Sequence, residues 1–142
     1  MDDDIPYLLL TPGPLTTSKT VKQVMLNDFC TWDDDYNSIV SEIRQKIVRL
    51  ATASDDYTSV LMQGSGTFAV EATLGSVVPH DGKLLAVNNG AYGKRIIQIA
   101  QRIEIPGTEL YHVETEPADA ARIDAILAAD PQITHVAVVH CE

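Results

Sequence analysis

A chain of 142 residues has the length of about one domain, and its 45% hydrophobic and 21% charged residues exclude disordered and fibrous classes. No apolar run approaches the roughly 18 residues that a membrane-spanning helix needs. A net charge of −10 with no basic cluster argues against nucleic acid and anionic membrane as partners.

The acids are spread evenly, 11 in residues 1–71 and 9 in 72–142, which is the pattern of a solvated surface. The acidic start, Met1 to Pro6, has no apolar core of a secretory signal. Cys30 and Cys141 make neither a disulfide framework nor a metal-ligand spacing, so a reducing, cytoplasmic location is expected.

In chain order, Tyr7-Leu8-Leu9-Leu10 reads as extended, and Thr11-Pro12-Gly13-Pro14 ends it, because two prolines around a glycine continue neither regular element. Thr17 and Ser18 are N-cap candidates for a first helix with Val21, Val24 and Met25 at helical spacing. Ile39, Val40, Ile43, Ile47, Leu50 and Ala51 form the apolar face of a longer second helix. Between them Cys30 to Tyr36 reads as a loop holding the only tryptophan, Trp32.

From residue 57 the pattern changes. Thr58–Met62, Lys83–Val87, Glu109–Val113 and His135–Val139 read as strands, separated by helical stretches near 67–78, 93–104 and 120–129. Alternating strands and helices predict an α/β fold with a parallel sheet. Residues 1–56 are therefore expected to form an N-terminal arm and helices, and residues 57–142 the sheet-bearing part. Val136 to Val139 lacks polar alternation, the pattern of a strand covered on both faces. No helix follows it before Glu142. The sequence thus reads as cut at the edge where open α/β sheets place their ligands, with an uncovered face or edge on its last strand.

Two loops carry candidate chemistry. Gln63-Gly64-Ser65-Gly66-Thr67-Phe68 joins a predicted strand to a helix. Small residues there let backbone amides approach an anion, two hydroxyls add donors, and the helix N-terminus adds about half a positive charge. It lacks the lysine of a Walker loop and the third glycine of a dinucleotide fingerprint. A tight turn with an N-cap accounts for the same residues. Asn88-Asn89-Gly90-Ala91-Tyr92-Gly93 also leaves a strand and opens a helix, so it shares that sheet edge. Tyr92 between small residues is placed to stack on a planar ligand, or to close a turn from the core.

The remaining polar residues read as structural. Lys94 and Arg95 are expected as surface cations of a first helical turn, and Glu42 with Lys46 as an i, i+4 helix pair. Asp33-Asp34-Asp35 is expected to be solvated. His80, His112, His135 and His140 show no metal spacing and are expected on the surface or satisfied in the core. Cys141 has no nameable acid–base partner.

Four segments together carry a resemblance: Leu8 to Thr17, Cys30 to Asn37, Leu61 to Thr67 and Asn89 to Gly93. They resemble the 2-aminoethylphosphonate–pyruvate transaminases, class V aminotransferases among the fold-type I pyridoxal-phosphate enzymes. The likeness runs from about residue 7 to the end, as the N-terminal part only. Pro-Gly-Pro and Gly-Ser-Gly-Thr mark the class; Thr31-Trp32-Asp33-Asp34-Asp35-Tyr36 is more particular. The resemblance implies amino transfer from 2-aminoethylphosphonate to pyruvate, giving phosphonoacetaldehyde and alanine, by a cytoplasmic homodimer. It implies that Ser65, Gly66 and Thr67 hold the phosphate of pyridoxal 5'-phosphate, that Tyr92 stacks on its ring, and that Pro12, Gly13 and Pro14 line the site entrance.

The resemblance also implies what these residues do not supply. The family's Schiff-base lysine, its pyridine-nitrogen aspartate and its substrate arginine match no position here; Lys19, Lys22, Lys46, Lys83 and Lys94 all lie elsewhere. The sheet-bearing part is accordingly expected to be an incomplete cofactor-binding large domain, with three adjacent strands and one orphan at 57–62, and the 142 residues alone are expected to be inactive. Two other readings use the same residues. One is a small non-catalytic α/β module that binds a phosphorylated ligand through Gly64 to Thr67. The other is a remnant that pairs with a complete subunit through residues 7–52.

Overall fold

The computed structural model describes residues 7–11 and 13–142, and the chain divides between Leu61 and Met62 into two units.

In the first unit, helix α1 spans Lys19–Val24 and helix α2 spans Asp34–Ala51. Ser18 caps α1, its hydroxyl accepting from the Val21 amide at 3.3 Å. The sequence reading of Cys30 to Tyr36 as a loop is corrected: Asp33 is the N-cap of α2, and Asp34 and Asp35 lie in its first turn. Carboxylates there complement the positive end of the helix. Ile39, Ile43 and Ile47 fall on one stripe, each about two-fifths exposed, and no described residue of this unit is buried.

Thr58 to Met62 forms no strand, which corrects the expectation from its β-rich composition. Its polar groups are bound by α2 instead. Arg44 donates from Nε to the Ser59 carbonyl and from Nη2 to Thr58 Oγ1, both at 2.8 Å. Ser59 Oγ donates back to the Arg44 carbonyl at 3.1 Å. β propensity describes a fit to neighbouring strands, and this segment pairs with none.

The second unit contains α3 Gly66–Val77, β1 Lys83–Asn88, α4 Ala91–Arg102, β2 Gly107–Tyr111, α5 Ala120–Ala129 and β3 Ile133–Ala137. The three strands form a parallel sheet in the order β2-β1-β3. The edge strands begin two residues earlier than the apolar runs suggest, because register follows the partner: Leu84 faces Gly107 and Lys83 faces Ile133.

β1 is central and reads Leu84-Leu85-Ala86-Val87, each 3% exposed or less. Side chains alternate across a strand, so this run fills two cores. Leu84 and Ala86 pack with Leu74 and Val78 and with Ile99 and Ala100 of α4. Leu85 and Val87 pack with Leu110 and with Ile123, Ile126 and Leu127 of α5. A strand covered on both faces needs no polar alternation. β3 is an edge strand; Val136 on it and Val138 just beyond its end are 44% and 49% exposed, so the apolar run that reads as covered on both faces is in part open.

Two polar contacts fix the ends. Lys83 Nζ meets Asp130 Oδ2 at 2.6 Å, tying the start of β1 to the turn that feeds β3. Hydrogen bonding from Lys83, then from the Gln132 amide, lowers the Asp130 pKa below the ordinary carboxylate value. His112 is buried, and its Nε2 accepts from the Asp119 amide at 3.2 Å, a satisfied core histidine.

Candidate functional site

The chain leaves β1 toward β2 through α4 and returns across β1 to β3 through α5. The order therefore reverses beside β1, and the carboxyl ends of β1 and β3 lie next to each other. Open α/β sheets bind ligands at such a reversal.

The turn before α3 is tight because of Gly64. Its φ is +153°, and a Cβ there would lie 2.7 Å from Phe68 Cδ1. Ser65 follows in extended backbone as the N-cap, its Oγ accepting from the Phe68 amide at 3.2 Å. The capping half of the turn reading is therefore real. It leaves the Ser65 hydroxyl proton available as a donor. The Gly66 and Thr67 amides sit at the start of the helix, where no i−4 carbonyl reaches them. A Cβ on Gly66 would meet nothing within 4 Å, and no acid occupies the first turn of α3. Two amides, two hydroxyls and the positive helix end face open space, and a phosphate group fits that donor set.

Tyr92 is the second residue of α4 and is 58% exposed, so it does not close a turn from the core. Gly93 beside it is buried; a Cβ would lie 2.8 Å from the Val87 carbonyl. Its absence lets α4 rest on β1 and brings Tyr92 to the strand end. α3 and α4 pack on the same side of the sheet. Among the described residues no hydrogen bond joins the turn at 64–67 to the loop at 89–93.

Of the proposed entrance segment, Pro12 lies outside the described residues. Gly13 and Pro14 belong to the first unit and are exposed. Thr11 Oγ1 donates to the Pro14 carbonyl at 2.8 Å, and Thr16 Oγ1 takes the Leu9 amide at 2.7 Å.

Lys94 and Arg95 are exposed, as are Cys30 and Cys141. Among the described residues no three His, Cys, Asp or Glu side chains gather as metal ligands, and no helix is long and apolar enough to cross a membrane. A broad groove runs along α2. Its arginines are engaged, Arg44 with Thr58 and Ser59, Arg49 with Ala53 and Asp55, and it holds no nucleophile with a base.

Glu142 was missed by sequence reasoning. Its carboxylate accepts from the Tyr92 amide at 2.5 Å and the Gly93 amide at 3.2 Å. The signal is faint in the sequence: a glycine, Gly90, where a helix should carry a capping side chain.

No protein-family model matches the chain. Over 137 residues it is 61% identical to the 2-aminoethylphosphonate–pyruvate transaminase of Bacillus cytotoxicus, covering 96% of this chain and 38% of that protein. It is 60% identical to the protein of the same name from Syntrophobacter fumaroxidans, covering 37% of it. The resemblance carried by the four motifs therefore extends over nearly the whole chain, which spans less than two-fifths of the length of these relatives. Among solved structures, pyridoxamine-pyruvate aminotransferase from Mesorhizobium loti superposes with a TM-score of 0.78 at 23% identity, over 94% of this chain and 34% of that one. Alanine–glyoxylate aminotransferase from Nostoc sp. gives 0.75 at 24%, over 86% and 32%. The fold is that of an aminotransferase in part: a helical segment, then a portion of the parallel-sheet large domain.

Proposed function

We propose that the chain is a portion of a 2-aminoethylphosphonate–pyruvate transaminase and carries its cofactor-gripping loops. The observation that supports this most is the 61% identity over 137 residues to a relative of that name. In this reading residues 1–56 are the arm and helices, residues 57–142 are an incomplete large domain, and the complete enzyme is a cytoplasmic homodimer that takes 2-aminoethylphosphonate and pyruvate.

The donor set at the α3 turn fits the phosphate of pyridoxal 5'-phosphate. Ser65 and Thr67 donate hydroxyl protons, and the Gly66 and Thr67 amides donate from the backbone. Gly66 keeps the approach open, and Tyr92 presents its ring to the cofactor's planar face. Pro12, Gly13 and Pro14 are assigned to the substrate side. When bound, the cofactor would supply an aldehyde carbon to carry the amino group and a ring to withdraw electrons from the reacting carbon. The chain's own contribution is binding and orientation. Since none of its five lysines matches the family's Schiff-base position, these 142 residues bind without transferring an amino group.

The test is calorimetric titration of the chain with pyridoxal 5'-phosphate and with pyridoxal. The phosphate ester is expected to bind more tightly. Tyr92→Ala should weaken both ligands by about 1 kcal/mol, the scale of an aromatic contact. Equal affinity for the two ligands, or no effect of Tyr92→Ala on either, would refute the assignment.

A further inference from the structure

The loop that presents Tyr92 is held by a residue far along the chain. β1 and β3 are parallel neighbours, so the segments that leave them, 89–93 and 138–142, come together. Three hydrogen bonds join them. Asn89 Nδ2 donates to the Val139 carbonyl at 2.9 Å, and the Tyr92 and Gly93 amides donate to Glu142 Oε1 and Oε2.

Gly90 makes room for this. It is the N-cap of α4, at φ +155°, with no side chain to bond the first amides. A Cβ there would lie 2.1 Å from Glu142 Cγ and 2.4 Å from Cδ. The cap that a local Ser or Asp ordinarily gives comes instead from a carboxylate 50 residues downstream of Tyr92. A negative charge is favoured there by the helix end, and its bonds are charge-assisted.

The two helices that flank the site therefore differ. α3 is capped by its own Ser65 and has no acid in its first turn. The first amides of α4 are filled by Glu142. We infer that Glu142 is a positioning residue: it fixes the loop that presents Tyr92 by accepting from the Tyr92 and Gly93 amides. This rests on the reading of Tyr92 as a ring platform.

Amide hydrogen exchange of the cofactor-free chain, read residue by residue by NMR, tests the anchoring directly. The Tyr92 and Gly93 amides are expected to be protected. In Glu142→Ala both should exchange about ten-fold faster, the scale of one charge-assisted hydrogen bond, while Ile99 and Ala100 in the same helix keep their rates. Glu142→Gln retains an acceptor oxygen and should restore protection to at least one of the two. Unchanged exchange at both amides in Glu142→Ala would overturn the inference, and so would an equal loss along all of α4.

A second measurement reads positioning. Glu142→Ala should weaken pyridoxal and pyridoxal 5'-phosphate by the same factor, because the ring platform moves and the phosphate turn does not. Weakening of the phosphate ester alone would overturn the inference. If Tyr92→Ala leaves both affinities unchanged, the platform reading beneath it fails, whereas the exchange rates still decide whether Glu142 anchors the loop.

Discussion

Ser65 has two jobs in the proposed site, and two substitutions separate them. Its Oγ caps α3 by accepting from the Phe68 amide at 3.2 Å, and its hydroxyl proton is assigned to the cofactor phosphate. Ser65→Ala removes both. Loss of the cap costs about 1 kcal/mol of stability, or about 4–8 °C in Tm for a unit of this size. Loss of the donor costs about 1 kcal/mol of phosphate binding, roughly a five-fold rise in Kd. Ser65→Gly removes the donor equally, yet glycine is a tolerable N-cap that costs only a few tenths of a kcal/mol. The two variants should therefore share one loss of affinity for pyridoxal 5'-phosphate and differ in melting temperature. Thermal unfolding by circular dichroism and calorimetric titration measure the two quantities. If both variants keep the parent affinity while only Ser65→Ala melts earlier, the segment is a capped turn with no ligand role, and the cradle argument is wrong.

Further outcomes follow from the packing and from the Lys83–Asp130 pair. Leu85 is fully buried against Leu110 and the apolar face of α5, so Leu85→Ala should cost about 2–5 kcal/mol in urea unfolding, whereas Val136→Thr on the exposed face should stay within about 0.5 kcal/mol. The Asp130 carboxyl has a lowered pKa in the folded chain, so its contribution is present above the unfolded value of about 3.9 and is lost as pH falls through the folded value. Acid unfolding of Lys83→Met should show a shallower loss of stability below about pH 4 than the parent, and an identical acid limb would remove Lys83 as the cause.

The sheet was legible where a strand's sequence reports its own burial. Leu84 to Val87 is apolar at every position because both faces are covered. Thr58 to Met62 has equal β propensity but no partner strand, and an arginine on α2 satisfies its polar groups; composition carries no information about that. The start of α2 was hidden for a different reason. Its first turn is acidic and solvated, so helical periodicity becomes visible only at Ile39, a full turn after Asp34. In the site, the glycines around Ser65 and Tyr92 pointed to close backbone approach, and the structure puts both residues at helix starts. For Glu142 the glycine at 90 signals only that a cap is missing; which residue fills it is decided once β1 and β3 are side by side.

That pairing of distant segments has a consequence for the growing chain on the ribosome. Tyr92 is synthesised 50 residues before Glu142, and at about 5–20 residues per second the interval is roughly 3–10 s. Through that time α3, with its own cap, has every local group needed to form its phosphate turn. The loop at 89–93 has its glycine gap and no carboxylate to fill it. On the proposed assignment the site would be built in two instalments, the α3 turn available early and the loop that presents Tyr92 anchored only when residues 139–142 clear the exit tunnel.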